Sequence, residues 1–112
     1  MILNPNIGDW SCVGGVNHPI SKNELKRWLD GLIEFKPITL TDGWLVRAGF
    51  KKQEVMLNAF DKVMYLKDGY RIYLDRKGFF YTPTHNRTIF FPYVHSLQSA
   101  WVVFTGSELI FE

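Results

Sequence analysis

The sequence predicts an α+β fold: a single compact domain in which a mainly antiparallel β-meander carries two or three helices on one face. Three observations lead there. Ser21-Lys22-Asn23-Glu24 has capping-box spacing ahead of an amphipathic run, Asp68-Gly69 separates two strand-like runs, and apolar residues recur at helical intervals from Val94 to Phe104.

In chain order, Ile7 to Val13 alternates as a short strand and Gly14-Gly15 stops it. From Ser21, the Ser hydroxyl takes the amide of Glu24 and Glu24 reaches back, opening a helix whose apolar side is Leu25, Trp28, Leu29 and Leu32, with Gly31 at its exit. Phe35 to Leu40 is extended, because Pro37 forbids helix and biases Lys36 towards β geometry. Thr41 is the expected N-cap of a two-turn helix bearing Trp44, Leu45 and Ala48.

Strands begin at Val55. Val63 to Lys67 and Tyr70 to Asp75 are joined through Asp68-Gly69, whose positive φ preference makes a tight hairpin. Arg76-Lys77-Gly78 turns the chain into Phe79-Phe80-Tyr81, Pro83 ends that strand, and Thr88 to Phe91 adds another. Val94, Leu97, Ala100, Trp101 and Phe104 share one face of the last helix, and Leu109 to Phe111 reads as a closing strand.

At 112 residues, with 46% hydrophobic and 16% aromatic content, the chain is long enough for one continuous core and too apolar for global disorder. A net charge of +2 is too small to act as an electrostatic footprint for DNA or an anionic membrane. One cysteine, Cys12, cannot make an internal disulfide, and neither a basic leader nor a membrane-length apolar run is present; the expectation is a cytoplasmic protein without membrane association.

Two blocks resemble a family of short, functionally uncharacterised proteins of Bacteroidetes genomes, prophages and phages. The first is Ile38-Thr39-Leu40-Thr41-Asp42-Gly43-Trp44-Leu45-Val46-Arg47-Ala48-Gly49-Phe50. In the second, Tyr93, Val94, His95, Leu97, Gln98, Thr105, Gly106, Glu108 and Leu109 match, and Ile7-Gly8-Asp9 is similar to an N-terminal Ile-Gly-Asn of the family. The resemblance covers about thirty residues. It implies a phage or mobile-element setting and names no activity.

The candidate site residues fall in two groups. His95 and Gln98 lie three positions apart on the flank of the last helix, where they either converge on a ligand or satisfy neighbouring strand ends. Tyr65, Tyr73 and Phe80, with Arg71, Arg76, Lys77 and Arg87 nearby, offer an aromatic and basic meander surface. Lys77-Gly78-Phe79-Phe80-Tyr81 imitates the start of an RNA-recognition strand motif but places Phe80 where a small residue belongs.

Cys12 and His18 form the only close Cys/His pair, short of a structural zinc set, and the flanking signatures of a nucleophile are missing around Cys12. The expectation is a protein that binds without catalysis and takes no cofactor or metal. Its favoured partner is another protein, of host or phage origin, with a host-defence component among the candidates. Nucleic-acid binding through the meander is the alternative, an enzyme the remotest reading, and an exposed sheet edge would permit a homodimer.

Overall fold

Asp68 at φ 50° and Gly69 at φ 84° make the left-handed turn that joins two antiparallel strands ending at Lys67 and starting at Tyr70, as their residue types require. The computed structural model describes residues 5–57, 60–75, 77–84 and 87–112. They form an α+β architecture with antiparallel sheets in two compact units, Met1–Thr39 with Tyr93–Glu108 and Leu40–Pro92 with Leu109–Glu112.

In the first unit, β1 (Trp10–Val13) lies between β2 (Val16–Pro19) and β3 (Lys36–Pro37), antiparallel to both. Register sets Cys12 against Asn17 and Lys36, and buried Ser11 donates from Oγ to the Lys36 carbonyl at 3.0 Å. The strand therefore starts later than Ile7 and stops before Gly14-Gly15 as expected, and the two glycines turn the chain into β2.

Helix α1 (Lys22–Leu29) has the full capping box: Glu24 N donates to Ser21 Oγ at 3.2 Å and Ser21 N to Glu24 Oε1 at 3.1 Å. Leu25 and Trp28 pack on buried Ile20 and Phe35, with Trp28 and Phe35 stacked at 6.2 Å. Leu29 and Leu32 depart from expectation, at 71% and 68% exposure. Gly31 N donates to Trp28 O and Leu32 N to Arg27 O, which ends the helix and takes Leu32 out of phase, so Ile33 packs in its place.

Helix α3 (Val94–Thr105) belongs to the same unit and buries Val94, Leu97 and Trp101. Gly106, left-handed at φ 74°, closes it by donating to the Val102 carbonyl. A single isolated bridge, Thr39 to Tyr93, and the bond from Val94 N to Ile38 O place the start of α3 beside residues 38–39.

The second unit is a meander in sequential order: β4 (Lys51–Leu57), β5 (Phe60–Lys67), β6 (Tyr70–Asp75), β7 (Gly78–Thr84) and β8 (Arg87–Phe90). β4 begins before Val55. β7 runs through Pro83 instead of ending there, because the register shifts between Tyr81 and Thr84 and no ladder amide is asked of the proline.

Helix α2 (Asp42–Arg47) is secured from β5 at both ends. Thr41 makes no side-chain cap; Tyr65 Oη donates to Asp42 Oδ1 at the N-terminus and the Lys67 ammonium donates to the Ala48 carbonyl at the C-terminus. The cation also complements the helix dipole there. Leu45, Ala48 and Phe50 are buried.

Leu109 to Phe111 makes no strand. Leu109 is buried, Phe111 meets Trp44 edge-on at 5.5 Å, and the chain is tied by Glu112 N to Arg47 O (2.8 Å) and Arg47 Nε to Glu112 O (2.9 Å). A side chain, not a ladder, takes the backbone acceptor.

Candidate binding surface on the five-stranded sheet

Alternation divides the meander side chains between two faces. Tyr65, Ile72, Phe79 and Phe91 are buried, and Tyr65 and Phe79 meet edge-to-face at 5.7 Å. On the other face, register aligns Gln53, Met64, Tyr73, Phe80 and Phe90 as successive cross-strand partners.

Gln53 at the β4 end of this row is exposed, and from Met64 onward the row becomes more accessible towards β8. Met64 is 7% exposed, Tyr73 and Phe80 are half-buried, and Phe90 is 41% exposed. Tyr73 and Phe80 stack with centroids 5.7 Å apart, and Phe80 and Phe90 repeat that spacing with a 48° tilt. Each such pair contributes about 1 kcal/mol beyond area burial. The three rings are thus held in place by one another.

Exposed charged residues border the strip. Arg71 lies two residues from Tyr73 on one side and Asp75 two residues on the other. Asp75 Oδ1 accepts from Lys77 N at 2.7 Å, which holds the β6–β7 turn; Lys77 itself is exposed. Arg76 lies outside the described residues.

Tyr65 separates from Tyr73 and Phe80. It is 1% exposed on the opposite face, an odd number of residues from Met64's row, and its hydroxyl is spent on Asp42. Burial, followed by the bond to Asp42, pushes its pKa upward, while that same bond holds the Asp42 carboxyl below its ordinary value. Tyr65 is a structural residue of α2 and the core, unavailable for contact.

His95 and Gln98 do come together, on the side of α3 that meets residues 6–10. Gln98 Oε1 accepts from Trp10 N at 2.8 Å and its Nε2 donates to the Gly8 carbonyl at 3.0 Å. The amide is consumed by main chain. His95 stacks on Tyr93 at 5.6 Å with planes 7° apart, and its Nδ1 is buried with no hydrogen-bond partner among the described residues.

Asp9, buried in the same loop, accepts from Asn6 N at 3.0 Å. Burial raises the Asp9 pKa, partly offset by Asn6 and His95; burial lowers that of His95, partly offset by the Asp9 charge. Both groups are thereby biased towards their neutral forms. Asp9 and His95 thus interact between the loop at residues 6–9 and α3, beside the two bonds that Gln98 makes to the main chain.

Phe90 is the surface residue that sequence reasoning missed. Its signal was present, since a strand from Thr88 to Phe91 ending at Pro92 must turn either Phe90 or Phe91 outward; only register chooses which.

Among the described residues, no group of three or more His, Cys, Asp or Glu side chains is placed to hold a metal ion, and no helix is long and apolar enough to cross a membrane. Compared with family models, curated proteins and solved structures, the chain has no match.

Proposed function

We propose that this protein is a binding module without catalytic activity, engaging another protein through the outer face of the meander at Tyr73, Phe80 and Phe90. The observation that carries this reading is the row of three rings in contact, Tyr73 stacked on Phe80 and Phe80 tilted against Phe90, that grows more exposed towards the sheet edge. Apolar aromatic surface with a charged border is the composition of a protein-binding hot spot.

The family resemblance favours a phage or mobile-element accessory protein, and a host or phage protein as partner, with a component of host defence among the candidates. The intracellular compartment of such a host is the corresponding location.

Arg71 beside Tyr73 supports a second reading, binding of single-stranded nucleic acid by stacking and charge. Three features favour protein. Tyr73 and Phe80 already stack on each other at 5.7 Å, Asp75 sits on the same border, and the net charge is only +2.

Affinity capture from the native host, with wild type, Tyr73→Ala, Phe90→Ala and His95→Ala as parallel baits, tests the proposal. The expected result is a partner retained by wild type and His95→Ala and lost by the two ring variants. Retrieval of nothing above a control bait overturns it. Filter binding of RNA and DNA across salt concentrations tests the second reading, which fails if nothing is retained at low salt.

A further inference from the structure

The outer aromatic row ends at a sheet edge, and that edge has its own hydrogen-bonding capacity. Phe91 N donates to the Phe79 carbonyl. In an antiparallel ladder successive residues direct their amide and carbonyl to opposite sides. Phe91 and Ile89 therefore address β7, and Thr88 and Phe90 address the side away from it. Neither Thr88 nor Phe90 has a backbone partner on that side among the described residues.

The same edge is already a pairing surface one step further on, where Leu40 N donates to the Pro92 carbonyl. The chain then leaves through Thr41 into α2. Pairing thus stops beside Thr88 and Phe90.

The two edges of this sheet differ in chemistry. β4 opens with Lys51-Lys52-Gln53-Glu54, the charged composition that discourages strand addition, whereas Thr88-Ile89-Phe90 is uncharged and rich in strand-forming residues. Thr88 and Phe90 are exposed, as is Arg87 at the strand's start.

We propose that an extended segment of the partner protein adds to β8 as a further strand, pairing with the main chain of Thr88 and Phe90; this rests on the outer face being the partner surface. A guest residue opposite Phe90 would prolong the row Tyr73, Phe80, Phe90, so an aromatic or branched apolar side chain belongs there. Three positions along, the guest faces Arg87, and charge complementarity calls for Asp or Glu. The occupant is an extended peptide segment with an acidic residue three positions from an aromatic or aliphatic one.

The test is selection of a displayed library of short random peptides on the full chain, followed by titration of the enriched peptides against variants. Thr88→Pro removes the outward amide, and proline is tolerated where an edge amide faces solvent. The expected result is enrichment of the acidic-apolar spacing, with affinity reduced about tenfold or more by Thr88→Pro and by Phe90→Ala. Lys51→Ser on the opposite edge leaves affinity unchanged.

Hydrogen exchange on the wild type reads the same geometry without a variant: the Thr88 and Phe90 amides slow on peptide addition. Peptides weakened by Tyr73→Ala but not by Thr88→Pro, with no slowing at those amides, overturn strand addition and leave the outer-face reading standing. Absence of any enrichment overturns both. Concentration-dependent dimerisation in sedimentation that is abolished by Thr88→Pro replaces the guest peptide with a second copy of the chain, and overturns the proposal as stated.

Discussion

Gln98 and Trp10, 88 positions apart in sequence, are joined by one side-chain amide: its oxygen accepts from Trp10 N at 2.8 Å while its nitrogen donates to the Gly8 carbonyl at 3.0 Å. The side chain spans two main-chain groups at the entry to β1, one accepting and one donating, as a neighbouring strand would. Gln98→Ala removes both bonds and is expected to cost about 2 kcal/mol. Denaturant unfolding measures the loss, and faster exchange of the Trp10 amide locates it.

Tyr65 and Asp42 make stability respond at both ends of the pH scale. Asp42, held below its ordinary 3.8 chiefly by the Tyr65 hydroxyl, contributes stability above that value and loses it as pH falls through the lowered one. Tyr65, raised above its ordinary 10.0 chiefly by burial, contributes fully below 10.0 and loses that contribution as pH rises beyond it. Tyr65→Phe is expected to cost about 1 kcal/mol near neutrality. It should also flatten both limbs of the stability–pH curve, which thermal melts across pH would record.

His95 adds to the loss of stability on the acid side. Its folded pKa is depressed below 6.5 by burial, so the unfolded chain takes the proton first and stability falls as pH drops below 6.5. The Asp9 charge works against this depression, so Asp9→Asn should lower the His95 midpoint further. Imidazole chemical shifts followed by NMR give both values; a midpoint at or above 6.5 in the wild type contradicts the burial argument.

The terminal helix has one stabilising face. Leu97, buried at the contact side of α3, is expected to cost about 3 kcal/mol when replaced by Ala, as a cavity would. Val103→Ala, on the outward and largely exposed side, should stay within about 0.5 kcal/mol. Chemical denaturation of the two variants side by side checks the difference.

Much of the fold was legible from local chemistry. The capping box at Ser21 and Glu24, the Asp68-Gly69 hairpin and the Gly106 closure each act within a few residues, so the residue types that need those geometries announce them. Less legible were the features that depend on non-local pairing. Pro83 looked like a stop because a proline cannot donate, yet a register shift relieves it of that duty. Leu109 to Phe111 alternated like a strand, but Arg47 and Trp44 engage the segment instead.

The candidate surface divides along the same line. Tyr65, Tyr73 and Phe80 are equally aromatic and equally placed in strands, and period-two alternation separates Tyr65 from Tyr73 only once the register between β5 and β6 is known. Helical spacing puts His95 and Gln98 on one flank of α3, whereas their engagement with residues 8–10 arises from a contact some ninety positions away.

By itself, the sequence determined the α+β class, the caps, the hairpin turn and the apolar stripe of α3, because propensity, capping and periodicity are short-range effects written in adjacent residues. Only the tertiary structure decided which rings line the outer face, which strands form the sheet edges, and that Tyr65 and Gln98 are spent on holding the fold. Those outcomes depend on register and on long-range hydrogen bonds, where the same side chain serves either core or surface according to which strand lies beside it.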